Sequence, residues 1–385
     1  MSRKPESMGT IDVGSRARAA LAEQPDGIYL NTAAEGLLLS DATPAIERYL
    51  RAKARGSRGR EDLNAIEDDA RRHFASLISA DASDVAFIAS TSRGLDIAIK
   101  SIDWQAGDAL VVPEAEFPTA YFAAQLLAER GVKVRVVPAV DGQVRPDDVV
   151  AAIDRSTKLV VMSLVSFKSG QYLAPDEIIL AAHEHGALVY VDAVQALGAV
   201  PFAIGEVDFL AAASFKWMLG IHGIAGFYAS KRARSVTSAP YVGYKSVSEL
   251  FPKSPNDITL YEGARRYEEG MPSFAAMAVL AASLDRIAAW TPAAIDAHNS
   301  ELIRVLRDGL RRLGARVIGP SGPMRTGGLV AFETPHFDRI RAALQAEGTA
   351  VWARDGRVRL SAHVYTRRVD IDTVLAQLSR IGVSA

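Results

Sequence analysis

The stretch that decides the fold is LVYVDAVQALG, residues 188–198. Its first four residues are all apolar, so the strand that they predict has both faces buried, as in a parallel sheet with helices on either side. The predicted strand ends at Asp192, and Gln195 follows in the next turn. Ligands of such sheets bind beyond the carboxyl ends of the strands, so we expect a binding site here.

Short apolar runs alternate with helical patterns on both sides of this stretch. Strands are predicted over residues 85–88, 109–112, 132–137, 159–164 and 187–191. Helices are predicted between them, over residues 94–102, 120–130, 146–153 and 175–185. This alternation favours an α/β fold in which a largely parallel sheet is covered by helices on both faces.

The C-terminal third of the chain has a different pattern. It predicts two long helices over residues 273–290 and 293–313, and then a strand over 330–333 and a helix over 337–347. A strand pair over 350–354 and 357–361 and a last helix over 370–381 follow. Such an α+β unit has about the size of a second domain. We expect a large domain over residues 26–270 and a small domain formed by residues 1–25 and 271–385.

The bulk composition narrows the classes of protein. The chain has 385 residues, of which 49% are hydrophobic and 23% charged, as expected of a globular protein with two domains. The 44 basic and 45 acidic residues nearly cancel, so we expect no nucleic-acid partner. The polar N-terminus lacks the apolar core of a signal peptide, and no long apolar stretch is free of charge. We therefore expect a cytoplasmic protein with no membrane partner.

Lys216 follows a second apolar run and stands between Phe215 and Trp217. A lysine in such a place is most often a solvated surface amine. Here the aromatic neighbours and the glycine-rich segment 220–227 are expected to desolvate the amine and lower its pKa, which favours a neutral nucleophile. Asp192 has two interpretations, as a helix cap or surface charge, or as a carboxylate that keeps a pyridine nitrogen protonated.

The polar turn STSRG, residues 90–94, follows a predicted strand and opens a helix. Hydroxyl groups and free backbone N–H groups at a helix N-terminus bind phosphate well. The same residues also make an ordinary helix N-cap. Alone, the turn is weak evidence for a phosphate site.

Taken in this order, the segments resemble the class V aminotransferase family, which includes cysteine desulfurases, selenocysteine lyases, kynureninase and isopenicillin N epimerase-like proteins. The resemblance runs from about residue 28 to 382, and its most specific part is the stretch 188–198 followed by Phe215-Lys216-Trp217. It implies a fold-type I α/β protein with a mostly parallel seven-stranded sheet. It also implies pyridoxal 5'-phosphate (PLP) as cofactor, an amino acid or related primary amine as substrate, and a homodimer with shared active sites.

The resemblance also implies roles for particular residues. Lys216 is expected to carry PLP as a Schiff base and to move protons, and Asp192 to pair with the pyridinium nitrogen. Further cofactor contacts are implied for Thr91, Ser92, Arg93, Phe117, Ser166, Gln195, Ser214 and, across the dimer, Met271. Substrate contacts are implied for Asn31, Ala33, His363 and the carboxylate-binding Arg359. No metal ligand is implied.

Several residues differ from those usual in the family, and they bear on which reaction the protein catalyses. Relatives usually have Thr at the position of Met271, and Phe167 and Lys168 are not the usual residues of their segment. The chain contains no cysteine, and the segment where desulfurases carry one shrinks to a tight turn at Asp355-Gly356. We therefore expect that the protein is not a persulfide-forming cysteine desulfurase.

Several reactions share the removal of a Cα proton by Lys216. An aminotransferase ranks first because it needs only this lysine and the core machinery. A β- or γ-elimination lyase acting on a C–S or similar bond is the close alternative, and an epimerase needs a second base that the sequence does not assign. A non-catalytic protein on the same fold is a further alternative, against which the pair Lys216 and Asp192 argues.

Overall fold

The computed structural model describes residues 13–254, 256–320 and 325–383, with side chains from residue 16 onward. The strands in this part of the chain are β1 (Ile28–Tyr29), β2 (Val85–Ile88), β3 (Ala109–Pro113), β4 (Lys133–Val137), β5 (Thr157–Ser163), β6 (Leu188–Asp192), β7 (Phe209–Ala213), β8 (Ala225–Ala229), β9 (Arg316–Ile318), β10 (Leu329–Glu333), β11 (Thr349–Ala350), β12 (Trp352–Arg354) and β13 (Arg357–Ser361).

The helices are α1 (Val13–Ala19), α2 (Ala42–Ala54), α3 (Arg60–Leu77), α4 (Thr91–Lys100), α5 (Pro118–Ala128), α6 (Pro146–Ala151), α7 (Asp176–Glu184), α8 (Lys231–Val236), α9 (Phe274–Trp290), α10 (Pro292–Arg312), α11 (Phe337–Ala346) and α12 (Arg368–Ile381). Short 3-10 turns occur at Gly56–Gly59, Ala82–Asp84 and Ala264–Tyr267.

The large sheet has the strand order β2-β8-β7-β6-β5-β3-β4 in the described residues. Strand β8 is antiparallel to both of its neighbours, and the other pairs are parallel. The predicted α/β class, with a mostly parallel seven-stranded sheet, is confirmed.

Helices cover both faces of this sheet because its inner strands are apolar on both faces. Helices α4 and α5 pack on one face, and α3, α7 and α9 contribute to the core on the other. The fit is close at Gly226 in β8, where an added Cβ atom would lie 2.2 Å from the ring of Phe74. A glycine is therefore required at that point of contact between β8 and α3.

A second core lies under the antiparallel sheet β12-β13-β10-β9. Helices α10, α11 and α12 pack on the face of β13 that carries Val358 and Leu360. Residues alternate between the two faces of a strand, so Arg357, Arg359 and Ser361 lie on the opposite face. The N–H of Ser361 donates to the carbonyl oxygen of Leu30 at 2.9 Å, which ties this strand to the segment that follows β1.

The division into domains at residue 270 stays a prediction. Helix α9 follows that boundary and contacts α2 and α3, whereas α1 contacts α10 and Arg18 forms an ion pair with Asp370 at 3.3 Å. Residues 1–12 and 384–385 of the predicted small domain lie outside the described residues.

Within the described residues, no single helix has the length and apolar composition needed to cross a membrane. Helices α9 and α10 meet that requirement only as a pair, bent by 77° at the break between them.

Candidate active site

The carboxyl ends of β5, β6 and β7 meet the N-terminus of α4 around a cavity of about 170 Å³. The residues that give this cavity its chemistry are Thr91, Glu116, Phe117, Ser163, Asp192 and Lys216. Four of them are predicted site residues that are far apart in the sequence. The sheet brings them together because its parallel strands end at this edge.

Lys216 enters the cavity from the segment after β7. Its Nζ atom lies 5.9 Å from the centroid of the Phe117 ring and 5.7 Å from that of Phe215. Burial lowers the pKa of Lys216 to about 8, with Arg359 acting in the same direction and Asp192 and Glu35 opposing it. The amine is therefore neutral in a useful fraction of molecules near neutral pH.

The backbone of Lys216 is held by the segment after β1. The N–H of Gly36 donates to the carbonyl oxygen of Phe215 at 2.9 Å. A Cβ atom at Gly36 would lie 2.1 Å from the carbonyl oxygen of Lys216. Only glycine allows this close approach. The contact fixes the backbone of Lys216 and so the starting point of its side chain.

Asp192 is the last residue of β6. Its Oδ1 atom accepts a hydrogen bond from the N–H of Val194 at 2.9 Å. Burial raises the pKa of this carboxyl, while the bond from Val194 and the charge of Lys216 act against the increase. A carboxylate that is stabilised only by one hydrogen bond and one nearby charge is suited to a further cationic partner, such as a protonated pyridine nitrogen.

The N-terminus of α4 provides the expected phosphate end of the site. The Oγ1 atom of Thr91 is buried and has no hydrogen-bond partner among the described residues. The hydroxyl of Ser92 lies 3.2 Å from that of Thr119, and all three side chains line the cavity. A phosphate would supply the missing partner of Thr91.

For Arg93 the prediction concerned the backbone, which was expected to bind the phosphate together with Thr91 and Ser92. Its N–H group donates to the Ser90 hydroxyl at 3.2 Å, as in an ordinary N-cap. Its guanidinium pairs with Glu269 at 2.6 Å and also with Asp96, outside the cavity lining. The structure therefore does not bring Arg93 to the cavity.

Phe117 and Gln195 both line the cavity. Phe117 is the N-cap residue of α5, and its ring is 46% exposed, which leaves an apolar face open to a planar ligand. Gln195 donates from Nε2 to the carbonyl oxygen of Ala33 at 3.0 Å and accepts from the indole N–H of Trp217 at 2.7 Å. One N–H of the Gln195 amide is left for a cofactor oxygen.

Two predicted serines have their hydroxyls engaged elsewhere. The Ser166 hydroxyl accepts from the N–H of Lys168 at 3.2 Å, and the Ser214 hydroxyl donates to the carbonyl oxygen of Ile221. Both are buried outside the lining of the cavity. Their predicted cofactor contacts find no support in this arrangement.

His363 and Met271 also lie away from Lys216 within the chain. His363 is fully buried behind Trp217, with its Nε2 atom 2.9 Å from the Trp217 carbonyl oxygen. Burial lowers the pKa of this imidazole to about 4. Met271 is 50% exposed and lies beside Arg60. Its predicted contact across a dimer stays a prediction, and His363 is not placed where it could touch a substrate in the cavity.

Arg359 is not among the residues that line the cavity; it is 4% exposed and has spare hydrogen-bond donors. One terminal nitrogen donates to the carbonyl oxygen of Phe167 at 3.0 Å, and the guanidinium lies 5.0 Å from the centroid of the Trp352 ring. Its Nε atom has no partner among the described residues. Burial and the nearby Arg357 lower the pKa of Arg359 to about 10. A buried guanidinium with free donors is suited to a carboxylate.

The other predicted substrate residues lie on the segment after β1. The Oδ1 atom of Asn31 is buried with no partner among the described residues. The N–H of Ala33 donates to the Ser361 hydroxyl at 2.9 Å, and its carbonyl oxygen accepts from Gln195. Neither residue lines the cavity: Asn31 holds an unpaired buried oxygen, and Ala33 links β13 to Gln195 in the cavity wall.

Glu116 and Ser163 form a pair in the cavity lining that was not predicted from the sequence. Glu116 is 4% exposed, accepts from the N–H of Ser163 at 2.7 Å and also bonds the Ser163 hydroxyl. Burial raises the pKa of Glu116 to about 8, and Asp192 acts in the same direction. The available signal was an acidic residue directly before Phe117 at a strand end, but its partner lies on another strand.

Comparison with known proteins bears on this arrangement. The family described as Aminotransferase class-V matches residues 28–381. The chain belongs to the class-V aminotransferase family. Like other class-V aminotransferases, it uses PLP as cofactor, and the predicted family and cofactor are confirmed.

Individual class-V aminotransferases refine the comparison. A cysteine desulfurase of Dickeya dadantii is 28% identical, with 86% of each chain covered. The apo structure of a cysteine desulfurase from Thermococcus onnurineus superposes with a TM-score of 0.88 at 24% identity, over 99% of both chains. A lysine-to-alanine mutant of C-DES, with glycine covalently linked to the PLP cofactor, gives a TM-score of 0.85 at 23% identity, covering 94% of this class-V aminotransferase and 98% of that chain.

These relatives correct one expectation. The exclusion of a persulfide-forming cysteine desulfurase is wrong, because cysteine desulfurases are among the similar proteins. The exclusion rested on the missing cysteine and on the short turn at Asp355-Gly356 that replaces the segment carrying it. The cavity that acts on the substrate amino acid is built from other residues, so a missing thiol is not evidence about the bond that this cavity breaks.

The residues of the cavity fit PLP. Thr91 offers a buried hydroxyl without a partner, Asp192 a carboxylate, Phe117 an exposed ring face and Lys216 an amine of lowered pKa. These four groups match the phosphate, the ring nitrogen, the ring face and the aldehyde of the cofactor.

Proposed function

We propose that the protein is a PLP-dependent enzyme that cleaves the C–S bond of a sulfur-containing amino acid. The observation that carries the amino-acid part is Arg359, a buried guanidinium with an unpartnered Nε atom that acts electrostatically on Lys216. The C–S part is supported by the cysteine desulfurases among its relatives.

Substrate binding begins with Arg359. Its donors beyond the one held by Phe167 can bind both oxygens of an α-carboxylate. Because the guanidinium is fixed between the Phe167 carbonyl and the Trp352 ring, the Cα atom of the substrate is held in one orientation. Phe117 and Phe167, whose ring centroids are 5.3 Å apart, exclude water from the reacting atoms.

Proton transfer falls to Lys216. When bound, PLP supplies an electron sink for the bonding electrons of the substrate. The Lys216 amine, with a pKa of about 8, takes the Cα proton in its neutral form and returns it in its charged form. Asp192 would hold the proton on the pyridine nitrogen of the bound cofactor, because its half-buried carboxylate favours a cation beside it.

The fate of the sulfur follows from the composition of the chain. The protein has no cysteine, so a thiol that accepts the sulfur comes from another molecule. A low-molecular-weight thiol or a partner protein would serve.

Transamination, which ranked first from the sequence, is the second candidate. It is favoured by the same Lys216 amine, since this reaction requires a single base that moves the proton between two positions. Epimerisation requires a second base in addition to Lys216, and no residue is assigned to that role.

The test is a panel of amino acids, including cysteine and cystine, incubated with the PLP-loaded protein with and without an external thiol. We expect sulfide or a persulfide product without any keto-acid acceptor, and no product from Lys216→Ala. Amino-group transfer that requires pyruvate or 2-oxoglutarate, without release of sulfur, would contradict C–S cleavage and establish transamination.

A homodimer and a cytoplasmic location belong to this proposal. The dimer is supported by the exposure of Met271 and of apolar residues in the preceding loop, such as Phe251, which is 86% exposed. Light scattering of the purified protein should give twice the chain mass, and a monomer that is fully active would contradict the dimer.

A further inference from the structure

Three cations lie near one another beside Phe167 and Trp352, and we call them the cationic cluster: Lys168, Arg357 and Arg359. The ammonium of Lys168 donates to the carbonyl oxygen of Glu114 at 2.9 Å and lies 6.0 Å from the centroid of the Phe167 ring. Arg359 donates to the carbonyl oxygen of Phe167. The side chain of Phe167 itself lines the cavity.

The cluster lacks acidic partners at short range. Within residues 13–254, 256–320 and 325–383, none of its members has a carboxylate at ion-pair distance. Glu114 and Glu116 attract Lys168 only over a longer range. Burial lowers the pKa of both Lys168 and Arg359, and the charge of Arg357 acts in the same direction. Like charges held together without counter-charges cost free energy, so an anionic ligand would relieve the repulsion.

The distance between the cations of the cluster fits a ligand that carries two acidic groups. Arg357 and Arg359 share one face of β13, and two residues along a strand span roughly 6–7 Å. Both guanidinium groups lie near the Trp352 ring, at 5.9 Å and 5.0 Å from its centroid. Arg359 is assigned to the α-carboxylate of the substrate. Arg357 and Lys168 are then free to bind a second acidic group of the same substrate, several bonds from the α-carboxylate.

We propose that Lys168 and Arg357 form a second anion subsite that binds an acidic group on the side chain of the substrate. The preferred substrates are then amino acids whose side chain ends in a carboxylate or sulfinate, including a disulfide whose far half carries its own carboxylate. This inference rests on the proposed assignment of Arg359 to the α-carboxylate.

The test compares two ligands that differ in one charge. S-carboxymethyl-L-cysteine and its carboxamide, S-carbamoylmethyl-L-cysteine, are titrated into the PLP-loaded protein, and binding is followed by visible absorption. We expect the acid to bind about 10- to 100-fold more tightly, as for one charged hydrogen bond. Arg357→Gln and Lys168→Gln should each reduce this preference while leaving the affinity for the carboxamide unchanged. Arg354→Gln, an exposed cation of the same hairpin, should leave the preference intact.

Equal affinities in the unmodified protein would overturn the subsite, and so would an equal loss in Arg354→Gln. Cleavage of the C–S bond is measured separately by thiol release. A preference for the acid without cleavage supports the subsite and contradicts the proposed function. Cleavage without the preference supports the function and contradicts the subsite.

Discussion

The reactivity of Lys216 can be predicted quantitatively. Its pKa is lowered from 10.5 to about 8, a difference that corresponds to roughly 3 kcal/mol. At pH 7 the neutral amine is then present in roughly 10% of molecules rather than roughly 0.03%, a factor of about 300. Since only the neutral amine is nucleophilic, the reactivity of Lys216 should rise with pH and level off above about 8.

Competitive labelling of the cofactor-free protein with acetic anhydride, followed by mass spectrometry of peptides, measures this directly. The exposed Lys53 on α2 serves as internal reference. Arg359→Gln should move the Lys216 midpoint to higher pH, because a neighbouring positive charge is removed. Asp192→Asn should move it to lower pH, because a stabilising negative charge is removed. A midpoint near 10.5, or a shift of both variants in the same direction, would refute the reasoning.

Three other predictions concern Thr91 and Glu116, which line the cavity, and the buried ion pairs of Arg71. Thr91→Val should weaken PLP binding about tenfold but leave the binding of pyridoxal, which lacks the phosphate, unchanged in equilibrium titrations; equal losses would contradict a phosphate contact. Glu116 has a pKa of about 8 and is protonated at pH 7, so Glu116→Gln should retain PLP affinity and Glu116→Ala should lose it; failure of both would show that the charge is needed. Arg71→Met removes the closest cation from both Glu67 and Glu268 and leaves them Lys245 and the more distant Arg265, so it should cost about 3 kcal/mol in urea unfolding. The exposed Arg72→Met should cost less than about 1 kcal/mol.

Local patterns predicted the elements of the fold well. Strand β2 occupies the predicted residues 85–88, and β13 the predicted 357–361. Both are short apolar or alternating runs bounded by turns, so their limits are set by nearby residues. The antiparallel direction of β8 depends instead on which strands it joins, and no pattern within residues 225–229 records that.

A site residue could be predicted from the sequence only where its role depends on its own place along the chain and not on a partner from another segment. Lys216, Asp192 and Thr91 sit at the ends of their elements, and the parallel sheet brings such ends together. Glu116 was missed because its role depends on Ser163, on another strand. The burial of His363 behind Trp217 is likewise a product of tertiary packing, which residue types alone do not reveal.

Reduction of the PLP-loaded protein with borohydride tests the central claim most directly. The reaction fixes the cofactor to the amine that holds it, and peptide mapping by mass spectrometry then identifies that residue. We predict a single labelled peptide that contains Lys216, and no label in Lys216→Ala with an unchanged circular dichroism spectrum. A label on another lysine, such as Lys168, or a Lys216→Ala variant that keeps the cofactor's bound absorption band, would contradict the account.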